Sequence, residues 1–462
     1  MTAEKLQACG FPTTRATRDE VAILAMPLVP HRLPLVTAGP QAGPLHPMGP
    51  RRGGTLDALV RCCPAMNRRH DIDALRVFAF ALLILYHTGM AYVGDWGFHL
   101  KGSFTTDALQ WPMRLLNGWR MSLLFLISGV AIALVRPRLQ RGRFIVMRSW
   151  RLLLPLLFGM FVVVPIQPYC EGVSRGMVAP GFWDFLLRYW QVRPWPEGSF
   201  AGDRFGITWN HLWYLAYLWA YTVLLVAALP LLESVPLRRL SGWLAGAPAT
   251  ALIGIPALLL LLWLAWLAPD HPATNTFVDD LYQHAKYGTV FLAGYLLGRE
   301  PHFWQRVQAL RRVSLCAAGG ALAWYLLLEA LGHWLPVDSP PRRWPQWFWG
   351  LQSQYCEVLY AWAMLLAVLA WGKRYLDRPF RWLPYCTEAV YPWYVLHQSL
   401  LIALLFWLKP LQLGPWLEPA LLLAGTIAGC LLLHEWIIRR SAWLRPLFGL
   451  KRRAARPTAR AG

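Results

Sequence analysis

The segment ALRVFAFALLILYHTG, from Ala74 to Gly89, decides the fold class. It is apolar enough to enter a bilayer, where about 20 such residues form a spanning helix. It nevertheless carries a permanent cation, Arg76, and a titratable imidazole, His87. Ionisable side chains are rare within membrane helices and usually mark a functional site. The segment therefore predicts a membrane protein and also where its chemistry lies.

Apolar runs of similar length recur along the 462-residue chain, which is 56% hydrophobic and only 15% charged. Only helices and closed barrels satisfy their backbone in lipid, and these runs are too long and alternate too little for barrel strands. The sequence therefore predicts an all-α, polytopic integral membrane protein with about ten transmembrane helices. The predicted spans are 74–94, 113–135, 149–168, 211–232, 246–268, 284–299, 313–335, 350–371, 387–408 and 418–438.

The net charge of +21 is distributed as membrane topology requires. Lys and Arg cluster in alternate loops between the predicted spans, whereas loop 269–283 is acidic. Basic loops face the cytoplasm, so we expect both termini to be cytoplasmic and exclude nucleic acid as a partner. The basic segments are 68–69, 136–151, 238–239, 299–312, 373–381 and 439–460.

The chain divides by composition into three parts. Residues 1–65 are rich in Pro, Gly and Arg, and we expect them to be disordered or to result from a start codon assigned too far upstream. Residues 66–450 form the predicted transmembrane domain, and 451–462 a basic cytoplasmic tail. The eight cysteines show no CxxC pair, so we infer neither a disulfide framework nor a metal site.

Arg76 and His87 are eleven residues apart, which places both on one face of a helix, about 16 Å apart along its axis. Taken alone, Arg76 has a simple explanation as a snorkelling side chain, and His87 as a partner in an interhelical hydrogen bond. Together they favour a polar track that runs from the cytoplasm into the membrane.

Such a track suits an extended phosphorylated thioester such as an acyl-coenzyme A. A cytoplasmic arginine can hold phosphate through charge-assisted hydrogen bonds. A buried histidine, whose unperturbed pKa is about 6.5, can act as general base on an incoming hydroxyl. The predicted donor is therefore cytoplasmic, and the acceptor approaches from the opposite side.

Several motifs resemble those of the membrane acyltransferase 3 family, in the same order along the chain. The first is Ile72–Arg76 followed after ten residues by His87. The others are WRMSLLFLISG at 119–129, Arg148-x-x-Arg151 with Pro155, HLWYL at 211–215 and YPWYVLHQ at 391–398. The tail HEWIIRRSAWLRPLFG at 434–449 is similar to the branch that contains glucan biosynthesis protein C, which is implicated in succinylating periplasmic glucans.

The resemblance implies ten core helices and transfer of an acyl group, acetyl or succinyl, from a cytoplasmic acyl-coenzyme A. It implies His87 as general base and Arg76 in active-site electrostatics. By the same resemblance Arg148 and Arg151 bind donor phosphates, although any cytoplasmic loop contains arginines. We group Arg120 with these donor-binding residues, because it can position the carboxylate of a dicarboxylic acyl group; a structural pair with an acid such as Glu357 is the alternative.

Three further residues are candidates for the acceptor or for a pathway. His211 stands before an aromatic cluster at the expected outer end of a span, and an interfacial histidine is the alternative. His397 lies within a span, where an interhelical hydrogen bond also explains it. Trp209 can stack on a sugar or belong to an interfacial aromatic belt.

The sequence thus predicts a membrane O-acyltransferase of the bacterial inner membrane. Its predicted partners are the lipid bilayer, acetyl- or succinyl-coenzyme A and a carbohydrate acceptor on a periplasmic or exported glycan; the oligomeric state stays open. A multi-pass transporter is the main alternative, because embedded Arg and His residues also suit solute pathways. A non-catalytic partner in a glycan-assembly complex is a third.

Overall fold

The computed structural model describes residues 69–135, 140–334 and 345–452, and these ranges contain helices and no strand. The described part is therefore all-α, as the sequence predicts. Residues 1–65, the predicted extension, and 453–462 of the predicted tail lie outside it. Within it, eight helical segments are long and apolar enough to cross a membrane: His70–Met90, Asp107–Val135, Arg141–Ser174, Ala249–Leu267, Arg311–Gly332, Gln346–Tyr375, Leu383–Leu411 and Gly414–Ile438.

The α-helices are numbered along the chain. They are α1 (His70–Met90), α2 (Gln110–Val135), α3 (Arg141–Phe158), α4 (Ile166–Ser174), α5 (Phe182–Tyr189), α6 (Trp213–Ala227), α7 (Leu229–Leu232), α8 (Val235–Gly246), α9 (Ala249–Leu267), α10 (Leu281–Gly298), α11 (Pro301–Ala309), α12 (Arg311–Trp334), α13 (Gln346–Tyr375), α14 (Leu383–Leu408), α15 (Gly414–Leu432) and α16 (Leu444–Leu447). Two π-helical segments, Gly159–Val163 and Leu433–Ile438, extend α3 and α15.

Two predicted spans fall short of a membrane-crossing helix by length or composition. The first, α6, has only 15 residues before the chain breaks into α7. The second, α10, carries Gln283, His284 and Lys286 in its first two turns. Both pack against other helices of the bundle, α6 against α3 and α10 along α2. Because protein covers much of their surface, they need less apolar sequence, and the count of ten stays a prediction.

Glycines bring α2 and α10 into backbone contact. A Cβ on Gly129 would lie 2.1 Å from the carbonyl oxygen of Phe291, and one on Gly294 would lie 2.2 Å from that of Leu126. Small residues at helix crossings allow this approach in membranes, where association depends on packing. The contact fixes α10, the helix that carries Lys286, against α2.

The loop after α1 folds back over the bundle. Lys101 donates a hydrogen bond from Nζ to the carbonyl oxygen of Met90, at 3.0 Å, at the end of α1. Burial lowers the pKa of this ammonium group. Farther along, the backbone amide of Ser103 donates to the fully buried carboxylate of Glu418 on α15, at 3.0 Å. These two contacts hold the segment that carries Trp96 in place.

The long connection between α4 and α6 contains the short helix α5. Phe185 and Tyr189 turn inward and are buried, whereas the side chains of Trp183 and Leu187 are 74% and 60% exposed. A helix that exposes large apolar side chains on one face suits the interface of a membrane.

We predict that Gly129→Ala destabilises the protein, because the added carbon has no room beside the backbone of α10. Overpacking of this kind costs about 1–3 kcal/mol, so the unfolding temperature of the purified protein in detergent should fall. Gly288→Ala on α10 is the matched control, since a Cβ there meets nothing within 4 Å. Equal unfolding temperatures for the two variants would contradict the close contact between α2 and α10.

Candidate functional site

A half-buried histidine and a buried one, from different helices, meet inside the bundle. His87 of α1 and His397 of α14 are 2.9 Å apart between Nδ1 and Nε2. Their rings are nearly parallel, with centroids 5.2 Å apart and an angle of 8° between the planes. His397 is fully buried. The structure thus joins two residues that the sequence singled out separately, and the interhelical hydrogen bond foreseen for each of them connects them to one another.

A cavity of about 580 Å³ lies beside His87, toward the end of α1 and the start of α2. We call it the histidine cavity. Its lining combines aromatic rings with charged and polar groups, a composition typical of small-molecule sites. The lining includes His87, Trp96, Arg120, Trp213, Lys286 and Glu357.

Arg120 is a nearly buried cation in the histidine cavity, with 4% of its surface exposed. Its guanidinium group lies 3.5 Å from the centroid of the Tyr86 ring. Nε and Nη1 are buried without a hydrogen-bond partner, and among the described residues no ion pair joins Arg120 to Glu357. A buried cation that lacks a carboxylate partner is costly unless a ligand or water compensates for it.

A second cavity, of about 250 Å³, lies toward the start of α1 and the end of α2. We call it the basic cavity, because Arg76, Arg148 and Arg151 line it and no acidic residue among its described lining opposes them. Arg76 approaches Asp73 at 3.9 Å, and the buried Nε of Arg148 has no hydrogen-bond partner. The arrangement suits a multiply charged anion such as a phosphate ester.

The two cavities share no lining residue among the described residues. The side chains of the basic cavity that face the histidine pair are mostly aromatic, and the centroids of the Tyr394 and His397 rings are 6.1 Å apart. The hydroxyl groups of Tyr214 and Ser128 are 2.8 Å apart, and the Tyr214 hydroxyl also donates to the carbonyl oxygen of Leu124. The ring of Tyr394 packs edge-on against Phe80, with centroids 5.3 Å apart. We call Phe80, Ser128, Tyr214 and Tyr394 the tyrosine layer.

The tyrosine layer overturns one sequence-based expectation. Arg76 lines the basic cavity and His87 the histidine cavity, so the single continuous polar track predicted for α1 is wrong for this conformation. Helix geometry places Arg76 and His87 on one face of α1. Phe80 of the same helix and residues of α6 and α14 fill the space between these two side chains. Arg120 likewise lies with His87 and not with the two arginines of α3, Arg148 and Arg151.

His211 and Trp209 support the site without lining the histidine cavity as the described residues form it. His211 is buried behind His397, with ring centroids 5.0 Å apart. Its Nδ1 lies 3.2 Å from Nε2 of Gln167. Trp209 donates from Nε1 to the carbonyl oxygen of Asn275, and Asn275 lines the cavity. The tryptophan from this region that reaches the cavity is Trp213.

Sequence reasoning missed Lys286 and Asp280. Lys286 lines the histidine cavity, and its signal was a lysine inside a predicted span. Asp280 is fully buried and accepts hydrogen bonds from the Thr274 backbone amide at 2.6 Å and from Gln283 at 3.0 Å. It was noted only as part of an acidic loop, yet it anchors the turn that presents Asn275 to the cavity.

The profile of the acyltransferase 3 family, described as an acyltransferase domain, matches residues 69–435. The chain belongs to this family. No curated protein and no solved structure gives a match. The protein is therefore a multi-pass membrane acyltransferase. The matched region includes every described residue that lines the two cavities, so the acyltransferase domain contains the whole candidate site.

Proposed function

We propose that this acyltransferase moves an acyl group from a cytoplasmic acyl-coenzyme A to a hydroxyl of a periplasmic or exported glycan, in the inner membrane of a bacterium. The observation that carries the proposal is the pairing of a histidine, His87, in one large cavity with three arginines in another, at the opposite end of the same helices. The basic loops support a cytoplasmic position for the arginines.

The basic cavity is the proposed site for the phosphate groups of the donor. Arg76, Arg148 and Arg151 supply three permanent cations, and the described lining holds no carboxylate that would compete with phosphate. Charge-assisted hydrogen bonds from guanidinium to phosphate are short and strong. The family membership supports acyl transfer, and the charge of this cavity supports a phosphorylated donor.

The histidine cavity is the proposed site for the acceptor. Rings such as Trp96 and Trp213 offer flat apolar faces to a sugar, and Lys286 and Glu357 offer hydrogen bonds to its hydroxyl groups. Nδ1 of His87 is used by His397, which leaves Nε2 of His87 for the cavity. That nitrogen is the proposed general base.

The proposed reaction needs one base that later acts as an acid. Nε2 of His87 takes the proton of the acceptor hydroxyl while its oxygen attacks the thioester carbonyl carbon. The carbon–sulfur bond then breaks, and the proton on Nε2 passes to the leaving sulfur to give free coenzyme A. The products are the O-acyl glycan and the thiol, and His87 returns to its starting state.

The tyrosine layer must open for the thioester to reach His87. Few hydroxyl hydrogen bonds hold Tyr214 and Tyr394 in position. Tyr214 bonds to Ser128 and to the carbonyl oxygen of Leu124, and Tyr394 donates to the carbonyl oxygen of His211 at 2.6 Å. Such contacts contribute about 0.5–1.5 kcal/mol each, which is small beside the binding energy of a large charged donor. We propose that donor binding shifts the layer aside and that it closes afterwards.

We predict that His87→Gln abolishes acyl transfer without unfolding the protein. General acid–base catalysis contributes about 10²- to 10⁴-fold, so the rate should fall by at least 100-fold. The measurement uses protein reconstituted in vesicles, with radiolabelled acetyl- or succinyl-coenzyme A and a neutral β-linked gluco-oligosaccharide as the acceptor probe. Transfer retained by a normally folded His87→Gln protein would refute this role of His87.

The alternative of a transporter is favoured by one observation, namely two cavities separated by a thin layer. Vesicles loaded with the oligosaccharide and given no acyl donor distinguish the two functions. Release of unmodified sugar in the absence of donor would support the carrier, whereas acylated sugar that forms inside the vesicles only when donor is added outside supports the acyltransferase.

We predict that Arg148→Gln weakens donor binding through the phosphate groups alone. Loss of one charged contact costs about 1.5–3 kcal/mol, so the KM for acetyl-coenzyme A should rise roughly tenfold or more. Acetyl-pantetheine, which lacks the nucleotide and its phosphates, is the matched donor. Its KM should be the same for the wild-type and Arg148→Gln proteins. Equal increases for the two donors would argue against phosphate binding at Arg148.

Arg120 favours succinyl over acetyl as the acyl group. A thioester that enters from the basic cavity reaches His87 first, and the distal end of its acyl chain then extends into the histidine cavity. Arg120 lies there with free guanidinium nitrogens. A distal carboxylate would supply the charge partner that the described residues do not provide. The resemblance of the tail at 434–449 to the glucan biosynthesis protein C branch supports the same donor.

We predict that Arg120→Met removes a preference for succinyl-coenzyme A over acetyl-coenzyme A. The ratio of kcat/KM values should fall roughly 10- to 100-fold, as expected for one lost charge-assisted hydrogen bond. Arg114→Met is the matched control, because Arg114 is an exposed cation in the same cavity lining. An unchanged ratio in Arg120→Met would exclude selection by this residue.

A further inference from the structure

We propose that His397 is a positioning residue that keeps the proton of His87 on Nδ1, so that the lone pair on Nε2 faces the histidine cavity. The assignment follows from hydrogen-bond donors and acceptors around the two rings. Its consequence for reaction rate rests on the proposed function, but the protonation pattern itself does not.

The first step concerns His397. Its Nδ1 lies 2.8 Å from the carbonyl oxygen of Tyr394 and 3.1 Å from that of Trp393. A carbonyl oxygen can only accept, so Nδ1 of His397 carries a hydrogen and donates it. A neutral imidazole has one N–H group, and Nε2 of His397 is therefore an acceptor.

The second step transfers this assignment to His87. Nδ1 of His87 lies 2.9 Å from Nε2 of His397 and must donate to it. Neither ring exchanges a hydrogen bond with a described carboxylate. His397 is buried and His87 is half-buried against it, so the uncharged forms are favoured. Nε2 of His87 is then left with its lone pair, on a residue that lines the histidine cavity.

The third step explains why His397 holds its orientation. His211 stands perpendicular to it, at 85° between ring planes, and Nε2 of His211 lies 3.1 Å from the same Tyr394 carbonyl oxygen. Gln167 occupies the other nitrogen of His211. The His397 ring is thus fixed by its hydrogen bonds to the backbone of α14 and by the ring of His211. His211 is not among the described residues that line the histidine cavity, so its role is to support His397.

The arrangement also stabilises the charged form of His87 during the reaction. When Nε2 takes the proton of a hydroxyl, the cation keeps donating through Nδ1 to the neutral His397. A carboxylate fills this orienting role in the serine-protease triad. An imidazole in its place orients the base without adding a negative charge to the site.

The kinetic test compares His397→Phe, His397→Gln and Thr426→Val in vesicles, with acetyl-coenzyme A and a β-linked gluco-oligosaccharide. Phe fills the ring volume but cannot accept a hydrogen bond, so kcat should fall at least 100-fold while both KM values stay within about threefold. Gln places an amide oxygen near the lost nitrogen, and we expect it to restore most of kcat. Thr426→Val on α15 removes a buried side-chain hydrogen bond, to the carbonyl oxygen of Leu422, outside the network of the histidine rings and should leave kcat unchanged.

A second measurement needs no substrate turnover. Diethyl pyrocarbonate reacts with an unprotonated ring nitrogen, and peptide mapping by mass spectrometry reports the labelling rate of His87. Labelling should slow in His397→Phe, recover in His397→Gln and equal the wild-type rate in Thr426→Val. If His397→Phe does not fold, His397→Leu takes its place, since it also lacks an acceptor.

The two measurements separate the failures. A wild-type protein that transfers no acyl group yet shows the expected labelling pattern would defeat the proposed function and leave the role of His397 intact. Labelling of His87 at one rate in all variants, or a normal kcat in a folded His397→Phe or His397→Leu protein, would overturn the positioning role.

Discussion

A hydrogen bond between two neutral rings joins the first membrane helix to α14, and the geometry of the site depends on it. His397 is buried and His87 is half-buried, and each needs a partner because an unsatisfied polar group in an apolar interior is costly. They satisfy one another through one pair of nitrogens. Nδ1 of His397 is engaged by a backbone carbonyl oxygen of α14. Nε2 of His87 is therefore the nitrogen of the pair that is left for chemistry.

Buried arginines without a hydrogen-bond partner on every nitrogen are a second feature of the bundle. Permanent cations cannot lose their charge when buried, and several of them here lie in cavities without a carboxylate beside them. Arg148 in the basic cavity and Arg120 in the histidine cavity each keep guanidinium nitrogens without a protein partner. Such sites are stable when water or an anionic ligand fills them. The tyrosine layer lines the basic cavity, and the two cavities share no lining residue among the described residues.

Much of the fold follows from one-dimensional pattern, whereas the site follows only in part. Long apolar runs place eight membrane-crossing segments to within several residues, because span length is set by bilayer thickness. The pattern overlooked that α10 is covered by α2, so Lys286 was not considered. It placed Arg76 and His87 on one face, but which neighbours fill that face depends on Phe80, Tyr214 and Tyr394, two of them from distant parts of the chain.

The sequence by itself determined the all-helical membrane class and the family, and it singled out His87 on α1 as the candidate base. Hydropathy and motif order can be read from the chain without its tertiary structure. The tertiary structure decided which groups share a cavity. It separated Arg76 from His87, moved Arg120 to the histidine cavity and set His397 against His87 across 310 residues. The physical reason is that hydrogen-bond partners and cavity walls come from helices packed side by side, and their mutual rotation is not encoded in the periodicity of any one of them.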